Sequence, residues 1–336
     1  MFKELIIKLA SNIDLTLEEA EEAIRCLIDG RATAAQAGAF LTALSMKRET
    51  TDEITAFAKV MQDNALHVKS NSERTVDVCG TGGDGKNTFN VSTAVSFVLA
   101  GAGVKVAKHG NRASSSRCGS ADVLKLLGVN IDASIETVEK CIEKANIGFL
   151  FAPYLHKSMK SVAMIRKELG IRTIFNILGP VTNPARVKYQ VLGVYSQDLT
   201  ETIASVLKNL GSIHAFVVHG VDGMDEVSIS EKTKVSELVN NEIKNYYIQP
   251  EDFNIKRKDI SELIVKSPDE SADTIRNVLN GETGACHDVV ILNAALALAA
   301  TLTFGNIKKG LELAENSILS GKALQALTSL IKTSYM

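Results

Sequence analysis

The chain has no tryptophan, no Cys-x-x-Cys pair, no apolar run long enough to cross a bilayer and almost no net charge. The missing tryptophan carries no conclusion, but each of the other absences excludes something. The cysteines, at positions 26, 79, 118, 141 and 286, are odd in number and unclustered. That argues against a disulfide framework or a zinc site and for buried or loop thiols in a reducing compartment. The 37 basic and 39 acidic side chains leave a net charge of −2, so no global field draws the molecule to nucleic acid. The most apolar stretch, Val289 to Phe304, is interrupted by Asn293 and Thr301 and is too short for a membrane span, so it reads as a buried helix. The first residues, Met1-Phe-Lys-Glu-Leu-Ile-Ile-Lys8, begin an amphipathic pattern without the apolar core and cleavage site of a secretory leader. Together these features lead us to expect a soluble, cytoplasmic protein with no membrane or nucleic-acid partner. No internal repeat or low-complexity tract is evident.

At 336 residues the chain has room for a large core and two domains. Residues 1–66 carry only helical signals. Thr16 with Glu19, Thr33 with Gln36, and Thr50 with Glu53 have capping-box spacing, and apolar residues recur behind them at helical intervals. This bundle either supplies a dimer contact or packs on the larger domain. Residues 67–74 form a polar hinge. Residues 75–336 then alternate between strand and helix. Strands are expected at 75–79, 103–107, 189–195 and 215–219, and a hairpin at 234–248 around Asn240-Asn241. Helices are expected from about 91 and at 120–127, 134–145, 158–169 and 199–210. Three more, at 271–280, 287–303 and 306–319, close the chain. The expected fold class is α/β, with a small N-terminal helical domain and a larger α/β domain built on a mixed, mainly parallel sheet.

Two loops look built for anions. Cys79-Gly-Thr-Gly-Gly-Asp-Gly-Lys-Asn-Thr-Phe-Asn-Val-Ser-Thr93 follows a strand and opens into a helix. Its glycines can take positive φ and turn backbone N–H groups toward one point, and a helix start adds further unpaired donors. It is not a dinucleotide fingerprint, because the next strand ends in Lys108-His109 where a ribose-binding acid belongs. Nor is it a nucleoside-triphosphate loop, because Asn87 stands where a hydroxyl should meet Mg²⁺. Asp84 within it would repel phosphate unless a metal lies between. The second loop, Lys108-His-Gly-Asn-Arg-Ala-Ser-Ser-Ser116, gathers two cations, an amide and several hydroxyls. Asp225-Glu226, after the strand at 215–219, is a pair of acids that suits Mg²⁺ beside phosphate oxygens. Each feature alone also reads as an ordinary turn, a polar loop or a solvated acidic pair.

Taken together, these segments resemble the anthranilate phosphoribosyltransferase family. The likeness spans most of residues 75–300. It rests on Cys79-Gly-Thr-Gly-Gly-Asp84, Asn90-Val-Ser-Thr93, Lys108-His-Gly-Asn-Arg112, Gly119-Ser-Ala-Asp-Val123, Gly170-Ile-Arg-Thr-Ile-Phe-Asn176, Leu178-Gly-Pro180, Thr182-Asn-Pro184 and Asp225-Glu226. The resemblance implies the fold shared by nucleoside phosphorylases and phosphoribosyltransferases of this class, with helices near 157–182 joining the helical domain. It also implies transfer of phosphoribose from phosphoribosyl pyrophosphate (PRPP) to the amine of anthranilate with Mg²⁺, in tryptophan synthesis, by a homodimer formed through the helical domain. By the same resemblance, PRPP is held by Gly80, Gly83, Asp84, Thr88, Asn90, Val91, Ser92, Thr93, Lys108, His109, Gly110, Asn111, Arg112, Ala113, Ser114, Ser115, Ser116 and Ser120. Anthranilate is met by Gly80, Asn111, Arg166, His109, His156 and Gly179, and the metal by Ser92, Asp225 and Glu226. The family more often has His-Pro-Ala-Met where this chain has His156-Lys-Ser-Met159, a departure that bears on the acceptor entrance.

The residue chemistry agrees. An aromatic amine is unprotonated at neutral pH and needs no strong base, and no Ser/His/Asp or Cys/His triad can be picked out. The costly step is separating pyrophosphate from an oxocarbenium-like carbon, which Lys108, loop N–H groups and Mg²⁺ would favour by stabilising the departing charge. Two rivals remain at this stage: a pyrimidine nucleoside phosphorylase-like enzyme, which needs one phosphate pocket and no metal pair, and a non-catalytic nucleic-acid-binding relative.

Overall fold

The computed structural model describes residues 2–112, 118–303 and 305–336. Threonines set the starts of three of the four N-terminal helices: α1 (Phe2–Ala10), α2 (Leu17–Ile28), α3 (Ala34–Lys47) and α4 (Thr51–Asp63). At Thr16, Thr33 and Thr50 the hydroxyl accepts the amide three residues on, while Glu19, Gln36 and Glu53 bond back. All three expected capping boxes are therefore present, each stabilising its helix by about 1 kcal/mol. Glu53 does more than cap. Fully buried, it also accepts the Leu15 amide at 2.9 Å and the Lys47 ammonium at 2.9 Å, so its charge is paired where water cannot reach it. Between the helices Phe40 stacks on Phe2 and Phe57, with ring centroids 5.2 and 6.3 Å apart.

The sheet has seven strands: β1 (Val76–Gly80), β2 (Val106–Gly110), β3 (Ile147–Phe151), β4 (Tyr189–Gly193), β5 (His214–Gly220), β6 (Thr233–Val239) and β7 (Glu242–Ile248). Their order is β3-β2-β1-β4-β5-β6-β7. The first five run parallel and the last two antiparallel, giving the expected mixed sheet. Asn240 and Asn241 take φ of 52° and 63° between β6 and β7, the paired left-handed residues a tight hairpin requires. Strand order reverses between β1 and β4, and a reversal of that kind opens a crevice at the carboxyl ends of the strands.

Sequence and structure part most clearly at two strands and the last helix. β2 lies three residues later than expected, because Gly103 with φ of 89° is still turning the chain out of the preceding helix. Lys108, His109 and Gly110 are consequently strand residues, not the start of a loop. β3 has no counterpart among the expected strands; its five-residue apolar run starts as soon as Asn146 ends a helix in the left-handed conformation. Finally, a fourth helix closes the chain after the three foreseen.

The helices of the α/β part are α5 (Val91–Gly101), α6 (Ser120–Leu126), α7 (Ile135–Ala145), α8 (Ala152–Leu155), α9 (Lys160–Leu169), α10 (Phe175–Val181), α11 (Leu199–Asn209), α12 (Pro268–Leu279), α13 (Ala285–Thr301), α14 (Ile307–Leu319) and α15 (Lys322–Ser334). α13 is the buried helix expected from its composition; it packs against α5, α14 and β4 on one face of the sheet. The other face carries α11 and a core that continues without a break into the helical bundle, from Leu192 and Val217 through Ile177 and Leu178 to Ile54 and Phe57. α9 packs on α2 and α3, and α10 on α4. Among the described residues no helix is long and apolar enough to cross a membrane.

Candidate active site

A cleft of about 310 Å³ opens at the carboxyl ends of β1 and β2. Its floor is the glycine loop. Gly82, Gly83 and Gly85 take φ of 64°, 76° and 74°, a conformation that any side chain would strain. The Gly82 amide donates to the Asp225 carboxylate at 2.7 Å. Two more glycines make room for that acid. A Cβ at Gly80 would strike the Asp225 carboxylate, and one at Gly193, its register partner on β4, would overlap the Asp225 backbone carbonyl. The loop's exit is strapped down by Phe89 N–H to Leu263 O at 2.9 Å and Val265 N–H to Asn87 O at 3.1 Å. α5 then starts at Val91, with Asn90, Val91 and Ser92 facing the cleft.

Lys108 is 2% exposed, and its ammonium donates to Val78 O at 2.9 Å and Ser92 Oγ at 3.1 Å. Burial lowers its pKa, opposed by Asp77, Cys79 and Glu226. Asp77, fully buried on β1, accepts the His109 amide at 3.2 Å and Asn183 Nδ2 at 2.8 Å. Burial still raises its pKa to about 6.

The acids at the far wall are under more strain. Burial, then the charge of Asp84, pushes Asp225 up to about 7; burial and Asp225 push Glu226 well above the carboxylate range. Lys108 is the cation that offsets Glu226, and the Ser92 amide also favours its charge. Ser92, Asp225 and Glu226 supply only oxygen donors, and the two buried carboxyls would ionise readily only beside a cation, which fits a hard divalent ion. No three His, Cys, Asp or Glu side chains among the described residues could hold a metal alone. Mg²⁺ commonly keeps several waters and takes substrate phosphate oxygens as ligands beside a few carboxylates.

His109, Arg166 and Phe175 line another part of the cleft. His109 Nδ1 lies 3.1 Å from Gly179 O. Burial, then His156, holds His109 down to about 3, so the ring is neutral. A carbonyl only accepts, so Nδ1 carries the proton and Nε2 is left a bare acceptor, with no hydrogen-bond partner. The His156 ring lies 5.2 Å behind it. Arg166, on α9, stands 5.2 Å over the Phe175 ring, and burial lowers its pKa.

Of the residues named from sequence, the cleft is lined by Gly80, Gly83, Asp84, Thr88, Asn90, Val91, Ser92, Lys108, His109, Gly110, Asn111, Arg112, Ser120, Arg166, Gly179, Asp225 and Glu226. Thr93 and His156 do not line it: Thr93 is fully buried in α5, and His156 sits behind His109. Arg112 is already engaged by Asp122 at 3.3 Å and lies 5.8 Å from the Phe151 ring centroid. Ala113, Ser114, Ser115 and Ser116 lie outside the described residues. Gly193, Phe175, Tyr195 and Arg172 were missed. Arg172 stacks 4.2 Å over Tyr195 and donates to Gly83 O, while its own carbonyl accepts from Ser45 on α3 at 3.0 Å. Its place in Gly170-Ile-Arg-Thr-Ile-Phe-Asn176 was the available signal.

Comparison with known proteins agrees with this geometry. Residues 72–324 match the model of the glycosyl transferase family a/b domain, and residues 3–65 that of the family's helical bundle domain. The anthranilate phosphoribosyltransferase of Acetivibrio thermocellus is 52% identical over 332 residues, which cover 99% of this chain and 96% of that one. That of Alkaliphilus metalliredigens is 50% identical, covering 99% and 98%. Among solved structures, the enzyme from Thermus thermophilus superposes with a TM-score of 0.93 at 39% identity, covering 99% of both chains. The Saccharomyces cerevisiae enzyme in complex with PRPP and Mg superposes at 0.90 with 32% identity, covering 99% and 98%. With the two-domain build, the glycine loop over paired acids and relatives matched from end to end, the chain belongs to the anthranilate phosphoribosyltransferase family.

Proposed function

We propose that this chain transfers the phosphoribosyl group of PRPP to the amine of anthranilate, releasing pyrophosphate, in tryptophan biosynthesis. The observation that carries the reading is convergence: the glycine loop, the Lys108–Asn111 segment and Asp225-Glu226 all face one cleft at the strand reversal. A nucleoside phosphorylase needs neither the paired acids nor a second anion-binding segment.

Gly80, Gly83, Asp84, Thr88, Asn90 to Ser92, Lys108 and Asn111 hold the PRPP end, their N–H and ammonium groups placed where charge grows on the leaving pyrophosphate. Ser92, Asp225 and Glu226 hold Mg²⁺, which supplies charge neutralisation to the departing phosphates. Beside Phe175, Arg166 offers its planar fork to the anthranilate carboxylate. The neutral His109 ring flanks the acceptor side, while Asn111, Gly80 and Gly179 bound the anthranilate ring. Holding two reactants in line can lower a barrier by roughly 7–11 kcal/mol.

We also infer a homodimer through the helical domain, supported by the exposed apolar residues Ile7, Ile13, Leu17 and Met46. Sedimentation at twice the 36.1 kDa chain mass tests it. A cysteine content that is odd in number and has no Cys-x-x-Cys pair supports a reducing, cytoplasmic setting. For the reaction, purified protein with PRPP, anthranilate and Mg²⁺ is expected to deplete anthranilate fluorescence, and chelation to stop the loss. Absence of turnover at every metal concentration would sink the assignment.

A further inference from the structure

Asn90 sits at the junction of the glycine loop and α5, and its amide is held by residues far from it in sequence. Its backbone N–H donates to Ser271 Oγ at 3.0 Å, and the Ser271 hydroxyl donates back to Asn90 Oδ1 at 3.3 Å. The Cys118 thiol donates to the same oxygen at 3.2 Å. Asn90 Nδ2 donates to the Cys118 carbonyl at 3.4 Å. Ser271 lies on α12, has no exposed surface and does not line the cleft.

This set of contacts fixes which way the carboxamide faces. A carbonyl can only accept, so the Cys118 carbonyl requires the amide nitrogen on its side. The amide oxygen is then turned to the Ser271 hydroxyl and the Cys118 thiol. One Nδ2 hydrogen serves Cys118, which leaves the other as a donor on a residue that lines the cleft. An anion needs a donor there. Were the amide to flip, the side chain would present a lone pair to the same space, and like partial charges would oppose phosphate binding.

We infer that Ser271 is a positioning residue that acts through Asn90, locking the amide with its N–H toward the pyrophosphate group of PRPP. The inference rests on the phosphoribosyl reading above and deepens it. Ser271 touches no substrate. It also takes the Asn90 backbone N–H, so one hydroxyl sets both the side chain and the entry of α5. Cys118, whose thiol burial pushes up to about 11, stays protonated and remains a donor across the working pH range.

The test is steady-state kinetics with both substrates and Mg²⁺, together with calorimetric binding of PRPP. Ser271→Ala is expected to raise KM and Kd for PRPP about tenfold, as loss of a buried hydrogen bond allows, with little change in KM for anthranilate. Ser271→Thr, which keeps the hydroxyl, is expected to restore PRPP binding. In an Asn90→Ala background the Ser271→Ala change should cost far less, because only the hold on the backbone N–H is then left to lose. If Ser271→Ala gives no folded protein, Cys118→Ala removes the other donor to Oδ1 and is expected to raise KM for PRPP severalfold. Wild-type PRPP binding by the folded Ser271→Ala or Cys118→Ala protein, equal loss for both substrates, or the same loss in the Asn90→Ala background would overturn the inference while the functional reading stands. Failure of the wild-type protein to bind PRPP would remove both.

Discussion

Asp225 and the glycines around it show how much depends on single atoms. A methyl group at Gly193 would overlap the Asp225 backbone, so Gly193→Ala should destabilise the fold toward the upper end of the roughly 1–3 kcal/mol typical of overpacking. Urea unfolding measures this, and an unchanged midpoint would show that the Asp225 loop moves freely. Arg166→Ala is expected to weaken anthranilate use well beyond PRPP use; equal losses in the two KM values would remove Arg166 from the acceptor wall. The acids give a pH signature. With the carboxyl of Asp225 raised from 3.8 to about 7, the folded protein keeps a proton that the unfolded chain has lost, so ionisation of this group erodes stability as pH rises across that window. His109 and His156, depressed to about 3 and about 4, act in the opposite sense, since the unfolded chain takes up their protons as pH falls below 6.5. The difference between Asp225→Asn and wild type isolates the acid. In metal-free buffer the variant's advantage in melting temperature should grow from pH 4 to pH 7 and shrink when Mg²⁺ is added. A constant difference would contradict the raised pKa.

At the scale of elements, the sequence was most legible where side chain and backbone act within a few residues. The threonine capping boxes and the Asn240-Asn241 turn were readable because their hydrogen bonds are local. β3 was harder, because five apolar residues between a helix and Pro153 carry too little periodicity to mark a strand. α15 does have helical spacing in Leu324, Leu327 and Leu330, and went unread. The glycine loop and the acidic pair were visible as motifs, whereas Gly193 became meaningful only once β4 was paired with β1. Arg172 belongs to the same class, since its contacts to Gly83, Tyr195 and Ser45 join segments remote in sequence. Arg172→Ala should therefore loosen the glycine loop and raise KM for PRPP a fewfold, in line with an exposed cation–π contact of about 0.5–1 kcal/mol. Hydrogen exchange at residues 82–85 offers a direct check, and unchanged protection there would dissociate Arg172 from the loop.

Across the whole molecule, the class of fold followed from the alternation of strands and helices after a purely helical start, and the mixed sheet from the hairpin at its end. The relation between the two parts was less legible, because it depends on α9 and α10 returning to a bundle that begins the chain. Their apolar residues Val162, Phe175, Ile177 and Leu178 belong to the same core as Ile24, Phe57 and Leu192. A fragment made of α1–α4 alone would thus be born with a wound where α9 and α10 should lie. Anyone transplanting the bundle between relatives must carry residues 157–182 with it, as a graft in two discontinuous pieces.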